Sequence, residues 1–194
     1  SSLELLVIFI GLEIMSISSY ILVGMKRKVP ESGEAALKYL LLGAFSTGFL
    51  LYGISLLYGA TGSTYLPDML QQLRLGVVET PLALAGIALL TIGLSFKVAI
   101  VPFHMWTPDV YSGAPTPVTG FMSAAAKAAG FAIMIRILLV GIPLEQVEGW
   151  ETILGWLAML TMTIGNLVAL QQQNVKRMLA YSSIAHAGYM MVAI

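Results

Sequence analysis

The chain has 194 residues, of which 58% are hydrophobic and 10% charged, whereas soluble domains have about 45–50% apolar and about 25% charged residues. Ten basic and ten acidic residues give a net charge of zero, which leaves no basic surface for nucleic acid. With no cysteine and two histidines, the chain lacks the ligands of an iron–sulfur or thiolate metal site. The composition indicates an integral membrane protein. Because both ends fall in or beside apolar runs, we expect a fragment of a longer chain.

Six apolar runs are each long enough to span a membrane, since a bilayer core about 30 Å thick needs about 20 apolar residues in a helix. In chain order they cover residues 3–24, 36–59, 81–108, 116–141, 151–170 and 175–194. The connector 60–80 is expected to hold a surface helix near Met69 to Leu75. None of the runs alternates strictly, which argues against barrel strands. The sequence therefore predicts an all-α transmembrane bundle that forms one domain over 1–194.

Basic residues are concentrated in alternate connectors. Connector 25–35 holds three of them and 171–177 holds two, whereas the connectors of the opposite side hold only Arg74 and the acidic loop 142–151. Loops on the cytoplasmic side of membrane proteins carry an excess of Lys and Arg. The first span is therefore predicted to begin outside and to end in the cytoplasm, or in the matrix or stroma of an organelle.

Three ionisable residues lie within predicted spans: Glu13 near the middle of the first, Lys97 late in the third and Lys127 near the middle of the fourth. A charge at such depth costs at least about 2.5–3.5 kcal/mol, so these residues normally face a polar interior and find partners. One interpretation is a static ion pair that fixes helix packing, and Lys97 alone could snorkel to the inner interface. The other is a proton relay, because one glutamate cannot neutralise two lysines.

Pro102 interrupts the third span five residues after Lys97. A proline in the middle of a helix removes a backbone hydrogen bond, and the alternative to a full break is an ordinary kink. Broken helices at membrane depth typically line the ion sites of transporters, so we predict a helix break near Pro102. His104 follows the break and His186 lies in the sixth span. Each is either a structural histidine or a member of a relay, since histidine titrates near neutral pH.

Three segments in the same order along the chain resemble one known family, the antiporter-like membrane subunits of respiratory complex I (NADH-quinone oxidoreductase). They are Phe96–Val118, Glu34–Ser46 and Asn174–His186. The sequence Thr-Pro-Asp-Val-Tyr at 107–111, followed by Gly-Ala-Pro-Thr-Pro-Val at 113–118, is more similar to the N-subunit type than to its L and M relatives, which usually carry a Leu-Pro-Asp-Ala variant. The resemblance covers nearly the whole chain.

The resemblance implies an antiporter-like bundle with two inverted repeats, each containing one broken helix. This chain would cover most of the first repeat and the start of the second. The family's essential glutamate matches Glu13, its broken-helix lysine matches Lys97 and its central lysine matches Lys127. Lys97 would then be the switching base under the control of Glu13, and Lys127 would pass the proton laterally, with water filling the gaps. His104 and His186 are candidates for assisting this relay.

The resemblance also implies a function: proton translocation driven by electron transfer from NADH to quinone in other subunits. NADH, flavin, iron–sulfur clusters and quinone are expected in those partner subunits, with no cofactor or metal in this chain. The partners would be other membrane-arm subunits and the lipid bilayer, in a bacterial inner membrane or, alternatively, an organelle inner membrane. Two other classes stay open, namely a subunit of a multi-subunit cation/proton antiporter and a structural membrane scaffold with frozen ion pairs.

Overall fold

The apolar runs fold into a bundle of helices in a computed structural model, which describes residues 2–194 apart from the side chain of Glu79. The helices are α1 (Leu5–Val23), α2 (Pro30–Thr61), α3 (Leu66–Arg74), α4 (Pro81–Val98), α5 (Trp106–Gly113), α6 (Thr116–Gly141), α7 (Trp150–Leu170) and α8 (Val175–Met191). Single 3₁₀ turns occupy Val77–Glu79 and Leu144–Gln146. Extended pairing within the described residues is limited to one isolated bridge between Glu4 and Tyr65. The predicted all-α fold class is confirmed.

Five of these helices are long and apolar enough to cross a membrane: α1, α2, α4, α6 and α7, with 19, 32, 18, 26 and 21 residues. The sixth predicted span is a helix of 17 residues, α8. Large apolar side chains such as Ile14, Ile21 and Phe45 point out of the bundle. Such a surface would be unfavourable in water but matches the hydrocarbon interior of a bilayer.

The second helix is longer than the run 36–59 predicts, because it begins at Pro30. Proline is unfavourable in the interior of a helix. In the first turn of a helix, however, it loses no hydrogen bond and its fixed backbone angle favours helix formation. The connector helix predicted near Met69 to Leu75 is α3, which buries Leu66, Met69 and Leu73 against the bundle.

The bundle has two ends and two apolar clusters. We call the end where α1 stops and α2 starts the inner end, and the opposite end the outer end. One cluster fills the outer half and contains Leu5, Leu12, Leu57, Ile87 and Leu138 among others. The second fills the inner half and contains Tyr20, Tyr39, Trp106, Tyr111 and Val118 among others. Along α1, Glu13 and Ser16 lie between Leu12 and Tyr20, which places the acidic group where the two clusters meet.

Candidate functional site

The glutamate of α1 and the lysine at the end of α4 form an ion pair inside the bundle. Lys97 Nζ lies 3.2 Å from Glu13 Oε1 and donates a hydrogen bond to Ser16 Oγ at 2.8 Å. The side chain of Lys97 is 5% exposed and that of Glu13 is 20% exposed. Glu13 Oε1 also accepts a hydrogen bond from Thr47 Oγ1 of α2 at 2.9 Å. Three helices therefore contribute polar groups to one buried site, as we expected for two of them.

The position of Lys97 on α4 favours its charged form. Lys97 lies in the last turn of the helix, where unpaired carbonyl groups give the helix end a partial negative charge. Glu13 acts in the same direction, whereas burial favours the neutral amine. Since these contributions oppose each other, a small movement of Glu13 can change the protonation state of Lys97.

The interruption predicted at Pro102 separates α4 from α5. Ala99 has a left-handed backbone with φ of 61° and ends α4. Two backbone groups at the break donate hydrogen bonds to side chains or accept hydrogen bonds from them. Val101 N donates to Thr161 Oγ1 of α7 at 3.0 Å, and Trp106 Nε1 donates to Phe96 O at 3.0 Å. Backbone that leaves a helix at membrane depth needs such partners, because the bilayer core holds no water.

The second lysine occupies a different kind of environment. Lys127 is 4% exposed, and its Nζ donates to both the carbonyl oxygen and Oγ of Ser183 on α8, each at 2.7 Å. Among the residues that the structure describes, no carboxylate pairs with it. A turn of π-helix, Met122–Ala126, immediately precedes Lys127 within α6. Lys127 borders a cleft of about 470 Å³ that His186, Lys176 and several hydroxyl groups also line.

The helices that carry the two lysines, α4 and α6, pack against each other next to these residues. A Cβ placed on Gly130, one turn after Lys127, would lie only 2.8 Å from Val98 Cγ1, next to Lys97. Small residues at such points let helix backbones approach each other in membranes. The end of α4 therefore lies against the turn of α6 that carries Lys127.

The two histidines are separate from the ion pair. His104 lies in the turn between α4 and α5, and its Nδ1 is buried without a hydrogen-bond partner within the described part of the chain. His186 is exposed on the wall of the Lys127 cleft and packs edge-on against Tyr189, with ring centroids 5.4 Å apart. The structure thus groups Glu13 with Lys97, and Lys127 with His186, and leaves His104 apart.

A second polar cluster lies at the inner end. Asp109 of α5 pairs with two cations: its Oδ1 lies 2.6 Å from Arg177 Nη1 of α8, and its Oδ2 lies 2.9 Å from Lys38 Nζ of α2. Lys38 also pairs with Glu34 at 2.8 Å, the local ion pair typical of this spacing. The hydrogen bond from Lys38 holds the pKa of Asp109 below its usual value; partial burial opposes this effect and Arg177 adds to it.

The hydroxyl groups that complete these sites were not predicted from the sequence. Ser16 follows Glu13 by three residues and so shares its helix face, a signal that was available in the sequence. Thr47 and Ser183 are 34 and 56 residues away from the groups they contact. Hydroxyl residues are common in membrane helices, so only the packing of the helices distinguishes these two.

The sequence profile of the transmembrane family described as NADH:quinone oxidoreductase/Mrp antiporter matches residues 2–194. The chain belongs to this family. It is 56% identical over 97% of its length to NADH-quinone oxidoreductase subunit N of Trichlorobacter lovleyi, and 54% identical over 98% to that of Gemmatimonas aurantiaca. It covers 39% and 36% of those relatives, so the chain spans well under half of their length. The resemblance to the N-subunit type is confirmed.

Chains of three solved membrane complexes have the same fold as this chain. Respiratory complex I from Thermus thermophilus with bound aureothin contains a chain that is 46% identical, with a TM-score of 0.83 over 100% of this chain and 40% of that one. A chain of the membrane-bound sulfane sulfur reductase, an archaeal respiratory membrane complex, is 36% identical with a TM-score of 0.87 over 98% of this chain and 38% of that one. The Mrp complex from Dietzia sp. DQ12-45-1b matches at 24% identity with a TM-score of 0.85 over 97% and 35%, and shows the shared fold alone.

Proposed function

We propose that this chain is the proton-translocating part of a membrane subunit of NADH-quinone oxidoreductase, respiratory complex I, in a bacterial inner membrane. The observation that carries the proposal is the Glu13–Lys97 ion pair at the break between α4 and α5. The relatives that bear the name NADH-quinone oxidoreductase subunit N and are more than 50% identical to this chain come from bacteria and support both the function and the membrane.

In the proposed mechanism, Lys97 takes up and releases a proton as Glu13 approaches and withdraws. When Glu13 lies close, it stabilises the ammonium, and Ser16 accepts one of its N–H groups. When Glu13 withdraws from Lys97, burial dominates and Lys97 releases its proton. The packing of Val98 against Gly130 leaves the turn that carries Lys127 as the nearest route onward, and water bridges the remaining gap.

Lys127 would receive this proton and pass it on along the cleft that it shares with His186. Among the described residues, Ser183 alone holds its ammonium. Because no carboxylate fixes its charge, Lys127 can give up a proton without separating an ion pair. The hydroxyl groups and His186 on the cleft wall offer the next partners, and this is the role proposed for that histidine. No contact of His104 with either lysine supports an equivalent role for it.

Energy would reach these groups from neighbouring membrane-arm subunits as a movement or a change of charge that biases Glu13. NADH, flavin, iron–sulfur clusters and quinone belong to partner subunits in this proposal. The donor set of the chain does not fit an iron–sulfur cluster, since it has no cysteine. Nor do the described residues bring three or more His, Asp or Glu side chains together.

A cation/proton antiporter subunit is the second candidate, because the family description names both kinds of complex. Identity favours the first, since the antiporter chain with a solved structure is 24% identical and the complex I chain 46%. A structural scaffold is the third candidate. It would keep the ion pair static and would give no reason for a second buried lysine without a carboxylate.

Proton uptake by the complete enzyme in sealed vesicles tests the proposal. NADH oxidation should drive proton uptake without sodium, and Lys97→Ala and Lys127→Ala should each lower the uptake rate by about a hundredfold, since each 1.36 kcal/mol in a barrier changes a rate tenfold. The amount of subunit in the membrane should stay normal. Lys28→Ala, in the exposed inner connector, is the matched control. Transport that requires sodium and no NADH would favour the antiporter, and normal pumping in both lysine variants would favour the scaffold.

A further inference from the structure

Asp109 pairs with cations on two helices, and each of these helices contributes a hydroxyl group to one of the two buried lysine sites. Its cation Lys38 belongs to α2, the helix whose Thr47 donates to Glu13. Its cation Arg177 belongs to α8, the helix whose Ser183 accepts from Lys127. Asp109 is the only charged residue of α5, the half-helix beyond the break. One carboxylate therefore connects both lysine sites through rigid helices.

Uncharged contacts hold α5 against both α2 and α8. Trp106 stacks on Tyr39 with ring centroids 4.6 Å apart, and Gly113 lies so close to Glu31 that an added Cβ would come within 2.5 Å of its carbonyl oxygen. On the α8 side, Lys176 Nζ donates to Ala114 O at 2.9 Å, beside the Asp109–Arg177 pair. The helix α5 is therefore packed against both helices, and on the α8 side the contact includes the Asp109–Arg177 ion pair.

The charges around Asp109 are unequal on its two sides. Lys38 keeps a second carboxylate, Glu34, at 2.8 Å. Arg177 pairs with Asp109 alone among the described carboxylates. The start of α8 is itself fixed, because Asn174 Oδ1 accepts from the backbone N–H groups of Lys176 and Arg177. Loss of the Asp109 charge would therefore leave Arg177 without a carboxylate partner among the described residues, whereas Lys38 would keep Glu34.

We infer that Asp109 is a positioning residue, which through Arg177 holds α8 so that Ser183 keeps Lys127 in place to receive a proton from the Lys97 site. This inference rests on the proposed function. It assigns the inner-end cluster a role in the relay, although no member of the cluster touches either buried lysine. It also predicts an asymmetry, because the Arg177 arm of the cluster should matter more than the Lys38 arm.

The test uses the complete enzyme in vesicles and compares proton uptake per assembled complex. Asp109→Asn keeps the shape of the side chain and removes its charge; with ion pairs of this exposure worth up to about 1 kcal/mol, uptake should fall about fivefold. Arg177→Gln should cause a similar fall, and Lys38→Gln less than about a twofold one. Asp109→Glu should restore at least half of the lost rate. Glu145→Gln, which removes an exposed ion pair with Arg74 at the outer end, is the matched control and should pump normally.

Three results would overturn the inference. They are normal pumping in Asp109→Asn, a larger loss in Lys38→Gln than in Arg177→Gln, and a loss that Asp109→Glu does not reverse or that only follows the amount of subunit in the membrane. Lys97→Ala and Lys127→Ala in the same vesicles separate the two proposals. If both lysine variants stop pumping while Asp109→Asn pumps normally, the positioning role fails and the proposed function stands. If the lysine variants pump normally, the proposed function itself fails.

Discussion

The two buried lysines have opposite kinds of partner. Lys97 lies against a carboxylate, a hydroxyl and the negative end of its own helix. Lys127 is also buried, and within the described part of the chain its ammonium contacts the carbonyl and hydroxyl oxygens of Ser183 alone. An ammonium with a nearby carboxylate is stabilised by charge, whereas one with neutral acceptors relies on hydrogen bonds alone. In the proposed mechanism, the position of Glu13 therefore controls the charge of Lys97, whereas Lys127 has no carboxylate among the described residues to control its charge.

Removal of the partner should affect Lys97 far more than Lys127. Glu13→Gln takes away the only carboxylate of the Lys97 site, so proton uptake should fall about a hundredfold, equal to about 2.7 kcal/mol in the barrier. Ser183→Ala leaves the Ser183 carbonyl oxygen as an acceptor, and the fall should stay within about tenfold. Initial rates of NADH-driven uptake in vesicles measure both. Equal losses in the two variants would show that the sites do not differ as described.

Neutral replacement of the lysines should change stability in opposite directions. Lys127→Met removes a buried charge that has no carboxylate and should raise the free energy of unfolding by about 1–3 kcal/mol. Lys97→Met leaves Glu13 with Thr47 as its remaining partner and should lower the free energy of unfolding by about 1–3 kcal/mol. Thermal midpoints of the purified complex give both values, with Lys28→Met as the exposed control. If both variants shift the midpoint in the same direction, the contrast between the sites is wrong.

Glycine contacts allow each site to be disturbed separately. A Cβ on Gly53 would lie 2.6 Å from Leu90 N, where α2 meets α4, and one on Gly165 would lie 2.7 Å from Ala185 N, where α7 meets α8. Overpacking typically costs about 1–3 kcal/mol. Gly53→Ala should therefore disturb the Lys97 site and Gly165→Ala the Lys127 site.

The matched controls for these variants are Gly48→Ala and Gly155→Ala, since an added Cβ at either position would have no neighbour within 4 Å. Protection of α2 and of α8 from hydrogen exchange measures the two disturbances. Gly53→Ala should reduce protection mainly in α2, and Gly165→Ala mainly in α8. Equal loosening of both helices by either variant would contradict independent packing of the two sites.

The smallest expected effect concerns the charge of Asp109, which pairs with cations on α2 and α8. Because Lys38 holds the pKa of Asp109 below its usual value, the carboxylate stabilises the fold above pH about 4, and this contribution is lost as the pH falls through the lowered pKa. The advantage of wild type over Asp109→Asn should be under about 1 kcal/mol at pH 7 and should shrink below pH about 4. Thermal midpoints of both proteins across this range measure it. An advantage that grows as the pH falls would contradict the assignment.

The sequence predicted best those features that follow from one residue and its immediate neighbours along the chain. Glu13, Lys97 and Lys127 were recognisable because charge is costly in an apolar run, and the break at Pro102 because proline cannot donate the helical hydrogen bond. The helix α2 extends beyond the apolar run 36–59 at its start, because Pro30 favours the first turn of a helix although proline opposes a helix interior.

The partners of these groups could not be predicted in the same way. Ser183 and Thr47 resemble every other hydroxyl residue in the spans until the helices are packed. The two cations of Asp109 lie 71 and 68 residues away from it. Glu34 lies four residues before Lys38 and is its local partner. The spacing along the helix therefore gives no sign of the longer-range contact with Asp109. Contacts of this kind depend on the crossing of helices rather than on spacing along one helix.

Lys97→Arg tests the central claim, that Lys97 releases and regains a proton under the control of Glu13. Arginine keeps the positive charge and can still pair with Glu13, but it does not release its proton in proteins. In the assembled enzyme in vesicles, with normal subunit content, the account predicts that NADH-driven proton uptake by Lys97→Arg falls about a hundredfold, as in Lys97→Ala. Normal proton uptake by Lys97→Arg, together with loss of assembly in Lys97→Ala, would contradict the account and indicate a static ion pair.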